Sequence, residues 1–321
     1  MWWLTFRLQR AELGLAVLAT LVILGVFAAT RDDATLRART TSIDSCPVPL
    51  SGPPGSQYCF VQTSRLTDWV VALSPALVFL PIAVAALLAL PSILELGSGT
   101  YRLAWTQSVL RRRWALSRVL VMLVVGVGVA IATAFVFAWW FQPGSLIAGS
   151  RAFGWYGSWT YDLWPLILGG STVFAIGLVL AIGTLVRRPI VSIAVSGLLY
   201  AAIRLPFSER IRPVLLPLKV STQADYFANT ANGKDWTINV YLLNALGDRV
   251  SEDRFQQLCA GQIRTPQGVE QCMTANGLTR YFEVQPYSRL VPLQLIETGI
   301  FVALGLALLG WTVWYWLRRL E

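Results

Sequence analysis

Six stretches of this chain carry no charge over a length that meets or approaches what a lipid bilayer demands. No other feature of the sequence constrains its fold as strongly. A membrane-spanning helix needs about 20 apolar residues to cross roughly 30 Å of hydrocarbon. The uncharged runs are residues 13–30, 69–94, 119–141, 163–186, 190–203 and 298–317 of 321. Five are long enough without further argument. The fifth in order has only 14 residues before Arg204, and a re-entrant or buried segment is its alternative reading. Pro189 after Arg187 and Arg188 predicts a tight turn out of the fourth span. The first run exceeds the usual 7–15-residue core of a signal peptide, and Phe27 is bulky where a cleavage site needs a small side chain. It is read as a retained span. Composition agrees: 55% of residues are hydrophobic, 13% are charged and the mean hydropathy is +0.57. Soluble domains carry about 25% charged residues, and disorder requires low hydrophobicity. Both classes are excluded.

The predicted fold is an all-α polytopic membrane protein of six transmembrane helices, with the N-terminus and the C-terminus both cytoplasmic. Arginine placement sets that orientation. The inner pieces, 1–12, 95–118, 187–189 and 318–321, hold 11 cations and 3 acids in 43 residues. The outer pieces, 31–68, 142–162 and 204–290, hold 15 cations and 13 acids in 146 residues. Cations are thus more than twice as dense inside, as membrane topology requires. The remaining acid is Glu297, within the sixth span. The chain divides into 1–203, with an interfacial amphipathic helix at 2–11, five spans and the inner segment 95–118; an extracytoplasmic cap at 204–290; and the sixth span with a short tail at 291–321.

Cys46 and Cys59 fall in the first outer loop, Cys259 and Cys272 in the last, each pair 13 positions apart. Disulfides persist in oxidising compartments, and closing a loop of this size contributes roughly 3 kcal/mol. Two local disulfides are expected, with free buried thiols as the alternative. In the cap, Ser251 before Glu252 and Asp253 predicts a helix N-cap, with Gly261 as a stop. Thr265 and Pro266 open a second short helix that Gly277 ends. Cys259 and Cys272 then staple a helical hairpin, while 237–243 and 280–284 are β-prone. The cap aromatics Tyr226, Phe227, Trp236, Tyr241, Phe255, Tyr281, Phe282 and Tyr287 are read as its core in preference to a ligand surface.

Catalytic chemistry is sparse. The chain has no histidine, the commonest metal ligand and neutral-pH acid or base, and no metal site is expected. A phosphate-binding P-loop needs Gly-x4-Gly-Lys-Ser/Thr, whereas Gly97 to Thr100 lacks the lysine and Lys234 precedes Asp235. No catalytic residue is assigned, no cofactor is expected in this chain, and the basic balance is explained by topology without nucleic acid.

The one sizeable inner segment, 95–118, breaks at its glycines and then becomes amphipathic. Trp105 and Trp114 are placed for the lipid interface, and 111–113 for lipid headgroups. Its residues Glu95, Gly99, Thr100, the run RLAWTQS at 102–108 and the run from Arg111 to Trp114 resemble the coupling segment of actinobacterial ATP-binding-cassette (ABC) type-2 exporter permeases. The stretches from Arg187 and Arg188 through Arg204 to Arg212 and Pro213, and from Tyr287 to Glu297, are similar too. The cysteine-bearing loops are outside the resemblance.

The resemblance implies two permease copies, as a homodimer or with a paired second permease, each docked on a separate ABC ATPase subunit that binds ATP and Mg2+. It implies that Glu95, Gly99, Thr100, Arg102, Trp105, Thr106, Gln107, Arg111 and Arg112 couple the segment to that ATPase. The function expected is export of a hydrophobic or amphipathic compound, such as an antibiotic, lipid or peptide, across a bacterial cell membrane. A non-transporting membrane sensor or binding module acting through the cap is the alternative. An intramembrane enzyme is disfavoured by the missing catalytic residues.

One polar pair is expected near the outer exit. At 1.5 Å per residue, Arg204 lies about 24 Å above Arg188 and Glu297 about 31 Å above Arg318. Intramembrane charges usually face the bundle interior and pair. Pairing of Arg204 with Glu297 is therefore expected; the alternatives are snorkelling of each to the interface, or Glu297 bonding Arg289 or Arg212. For the cysteines, non-reducing peptide mapping should recover the links Cys46–Cys59 and Cys259–Cys272. Links crossing between the two loops, or free thiols, would mean the outer loops are built differently.

Overall fold

A computed structural model describes residues 14, 18, 20–22, 24–31, 76–101, 110–147, 159–222, 235–260 and 266–319. In chain order these form helices α1 (Thr20–Arg31), α2 (Leu80–Ser98), α3 (Arg111–Ile147), α4 (Pro165–Val186) and α5 (Pro189–Pro206), then β1 (Lys219–Thr222), β2 (Trp236–Leu243), β3 (Arg249–Val250), α6 (Glu252–Leu258), α7 (Pro266–Ala275), β4 (Thr279–Gln285) and α8 (Leu290–Arg318). One helical turn, Trp159–Asp162, precedes α4. The expectations placed on 2–11, Cys46, Cys59, Arg102, Trp105, Thr106, Gln107, Tyr226, Phe227 and Gly261 lie outside the described residues.

Among the described residues, five helices are long and apolar enough to cross a membrane, namely α2, the Arg111–Trp140 part of α3, α4, α5 with its extension to Val214, and α8 with the turn before it. The first expected span is represented by the shorter apolar α1. Prolines mark the starts of α2, α4 and α5, where a missing N–H costs nothing. Gly99 closes α2 in the left-handed region (φ 74°). Arg187 closes α4 likewise (φ 54°), donating its N–H to the Gly183 carbonyl at 2.9 Å before Pro189 restarts the chain. That is the tight turn expected between the fourth and fifth spans. The fifth helix does not stop at Arg204: it continues through a π turn at Phe207–Ile211 and a 3-10 turn at Arg212–Val214. Neutralisation of Arg204 and Arg212, described below, is the physical reason a 14-residue uncharged run yields a 26-residue span.

The axis of the bundle is α4, buried along most of its length against α2, α3, α5 and α8. Its tightest partner is α8. A Cβ placed on Gly170 would meet Thr298, and one on Gly177 would sit 2.6 Å from the Gly305 carbonyl oxygen. Gly305 in turn lies against the Val173 and Phe174 backbone. Small residues seven positions apart on each helix thus let two backbones touch, the usual way membrane helices associate without a hydrophobic drive. Buried hydroxyls of Thr172, Thr184, Ser196 and Thr312 donate to carbonyls one turn earlier and bring no unpaired group into the bundle. Near one end, α1 packs Phe27 against Trp140 of α3 (5.1 Å), and Thr30 accepts from the Trp140 indole.

The fold is not all-α. The described residues between α5 and α8 form a cap built on a four-stranded antiparallel sheet in the order β1-β4-β2-β3. The β-prone segments became β2 and β4, paired from Trp236 opposite Gln285 to Leu243 opposite Thr279. Ser251 caps α6 by accepting from the Arg254 N–H at 3.3 Å, and α6 ends at Leu258, three residues before Gly261. Gly277 turns the chain after α7 with φ 61°. The Cys259–Cys272 disulfide, with Cα atoms 5.7 Å apart, ties α6 to α7 over Leu242, Phe255, Met273 and Leu278. Phe282 is buried in the cap, Tyr241 and Tyr281 stack at 5.8 Å, and Tyr287 is exposed.

Replacing Gly177 by alanine should cost about 1–3 kcal/mol, because the methyl must displace backbone. Gly128, with nothing within 4 Å of its Cβ position, should accept alanine with no loss. Unfolding of the detergent-purified variants measures both, and equal stability would refute the close α4–α8 contact.

Candidate functional site

At the cap end of the bundle, four charged side chains meet away from solvent. Arg204 and Arg212 come from the fifth span, Glu297 from α8 and Asp162 from the turn preceding α4; none is more than 4% exposed. Arg204 bonds Asp162 at 2.6 Å through one Nη and Glu297 through the other. Arg212 bonds Glu297 with Nε and Nη2, each at 2.9 Å, and also reaches Asp162. Two guanidinium forks against two carboxylates make a neutral set, the condition under which buried charge is tolerated.

Local structure aims both arginines. Eight residues apart on a regular α-helix, they would point about 80° apart. The π turn at Phe207–Ile211 absorbs one residue and reduces the divergence to about 20°. Although α5 and α8 each pack on α4 rather than along one another, their long side chains meet. The floor is aromatic: Arg204 lies 4.8 Å over the Phe301 ring, which Phe207 and Phe174 flank at 5.0 and 5.5 Å. Arg212 lies 4.2 Å over Tyr161. Burial pushes the Tyr161 phenol well above its ordinary range, and the Glu297 carboxylate adds to the shift.

At the opposite end stand the described members of the inner segment. Glu95 is half-buried on the last turn of α2 and pairs with Arg118 of α3 at 2.6 Å. Gly99 forms the left-handed cap, and Thr100 is exposed, its hydroxyl 3.0 Å from that of Ser98. Arg111 and Arg112 open α3 on its exposed side.

The structure thus places Arg204 in contact with Glu297, and Arg212 beside them. Asp162 was not anticipated, because from the sequence it is one acid at the edge of an outer loop. Arg118 was counted only as an inner topology charge. A signal existed for Asp162: two arginines facing one glutamate leave an excess positive charge that a further carboxylate must balance.

A helical bundle with spans of membrane length and charges paired inside defines a multi-pass membrane protein. The model of the family described as ABC-2 membrane transporter related matches residues 15–212, more than half of the chain. The chain belongs to that family. The match runs from the first apolar run to Arg212 of the buried cluster, short of the cap and α8. Membership makes it a transport permease subunit without an ATPase of its own and implies an ABC ATPase partner in general. No curated protein and no solved structure matches the chain.

Glu297→Gln leaves two buried arginines against one carboxylate and should destabilise the protein by about 3–5 kcal/mol. Arg212→Gln combined with it should cost less than the two single losses together, by about 0.5–3 kcal/mol. Unfolding of the two single variants and the double variant measures this; strict additivity would show that the charges do not act as a set.

Proposed function

We propose that this chain is the permease subunit of an actinobacterial-type ABC exporter in the bacterial cell membrane. It moves a hydrophobic or amphipathic compound (an antibiotic, lipid or peptide) outward using ATP and Mg2+ bound by a separate subunit. The observation that carries this reading is the family match over 15–212, which takes in α1 to α5 and the whole inner segment. Two copies of the chain form the transport unit as a homodimer. Each has six spans with both termini in the cytoplasm, and lipid covers the apolar outer faces.

In this reading the segment 95–118 is the cytoplasmic contact with the ATPase, with Arg102 and Trp105 to Gln107 at the docking surface. Nucleotide shifts the balance of two conformations through the different contacts each makes there. The cluster of Arg204, Arg212, Asp162 and Glu297 holds the outer exit closed. Each ion pair broken must be replaced by another or by water, which favours two discrete arrangements over a continuum.

Arg102→Ala and Trp105→Ala should leave folding intact and lower ATP-driven dye accumulation by about tenfold or more, within the usual range of coupling free energies. The measurement uses inside-out vesicles holding permease and ATPase, with amphipathic dyes as cargo. Full accumulation by both variants would overturn the docking assignment. Permease-dependent ATP hydrolysis with no dye moved would favour a sensor acting through the cap.

A further inference from the structure

We infer that Glu95 and Arg118 form a clamp at the base of the inner segment, positioning it within the membrane domain rather than touching the ATPase. The inference deepens the reading of 95–118 as the coupling element and rests on it.

Residues 99–110 link the end of α2 to the start of α3, and the relative placement of those two ends sets where the segment leaves and rejoins the bundle. Arg118 sits two turns into α3 and is 3% exposed, whereas Arg111, Arg112 and Arg113 are exposed. A charge kept only for topology would extend to water in the same way. Arg118 turns inward instead. One Nη donates to Glu95 Oε1 at 2.6 Å and the other to Ser92 Oγ at 3.2 Å. Ser92 and Glu95 are three residues apart and share a face of α2. The rigid guanidinium fork therefore grips two points on one helix from another, fixing their relative rotation as well as their spacing. A lysine at the same place would make a point contact. A buried ion pair gives little net stability over apolar packing, so geometry is what it contributes.

The clamp is joined to the rest of the bundle. The Arg118 guanidinium lies 4.9 Å over the Trp114 ring, and Trp114 packs on Trp316 of α8 at 5.4 Å. The Trp316 indole donates to Thr184 of α4 at 2.9 Å. On the other side, a Cβ on Gly97 would lie 2.7 Å from the Arg187 carbonyl oxygen, so α2 touches the α4–α5 turn there. A displacement of the segment is thereby passed to α8, α4 and α5, three of the elements that supply the charge cluster at the far end or lead into it. With its carboxylate engaged by Arg118, Glu95 leaves docking to the other residues of the segment.

The test uses the full chain in vesicles of phosphatidylethanolamine and phosphatidylglycerol, with two readouts. Spin labels on Leu94→Cys and Leu116→Cys, exposed on α2 and α3, report the distance between the helix ends, with Cys46 and Cys59 replaced by serine. The second readout is ATPase binding and permease-dependent ATP turnover. Glu95→Gln should broaden the distance distribution, leave ATPase affinity unchanged and lower turnover by about tenfold, the scale of a typical coupling free energy. Glu95→Gln with Arg118→Met keeps the fold, because no charge is left buried alone, and should give the same result. Glu95→Arg with Arg118→Glu should restore both readouts. An unchanged distribution in Glu95→Gln and in the neutral pair would overturn the clamp. So would a loss of ATPase affinity in Glu95→Gln that the reversed pair does not repair, because Glu95 would then be a docking contact. If wild-type vesicles bind no ATPase, the permease reading fails while the label distances still decide the clamp.

Discussion

An ionised side chain inside a membrane bundle is tolerable only against opposite charge, and the architecture of this protein follows from where that exchange takes place. At the cap end, Arg204 and Arg212 face Asp162 and Glu297. At the opposite end, Arg118 faces Glu95. Each set lets helices run past the limit of their uncharged stretches. The fifth span continues to Val214, α2 extends through Glu95, and α3 begins seven residues before Arg118. The cap-end set also joins three elements that are separate in the chain: the turn before α4, the fifth span and α8. Backbone packing brings α5 and α8 to α4, and the charges bring them to one another.

Between the two polar ends the bundle is held by close contact. The glycines at 170, 177 and 305 place α4 and α8 backbone against backbone, and Thr298 fills the space that a larger residue would need. Such an interface resists small distortions and favours sliding or tilting of whole helices. The cap is fastened rather than tethered. The Gln285 amide, fully buried, donates to the Pro213 and Leu216 carbonyls at 3.1 and 2.6 Å, and Arg289 reaches the Pro217 carbonyl. Tyr287 donates its N–H to Asp235 at 2.8 Å. The chain entering the cap and the chain leaving it are therefore locked together just beyond the charge cluster, so a movement of either span end carries the sheet with it. For a permease of this family, that links the cap to the same helices that reach the inner segment.

Much of this was legible in the sequence, and for a common reason. The apolar runs, the turn at Arg187 to Pro189, the Ser251 cap, strands β2 and β4 and the Cys259–Cys272 link are all set by short-range energetics. Transfer of apolar residues to lipid, a fixed proline φ, a side-chain oxygen near an orphan N–H and alternating strand residues each act within a few positions. The all-α fold class missed the sheet because its order joins the two β-prone segments to β1, which lies beside β4 from more than 50 residues earlier in the chain. Pairing at that separation leaves no local signature.

Residue order alone makes this chain a multi-pass membrane protein and sets roughly where its helices lie and where its arginines cluster. The depth of Arg204 and Glu297 along their helices could be counted from the rise per residue alone. The partners of those charges come from how the helices pack. Packing places Asp162, in sequence one acid of an outer loop, between two arginines, and turns Arg118 away from the exposed run 111–113 to meet Glu95. The tertiary structure also inserts the π turn that aligns Arg204 with Arg212. The cost of an unpaired charge applies wherever the charge is buried, but its relief depends on which helices lie side by side. Packing around α4 sets that, through contacts between residues far apart in the chain.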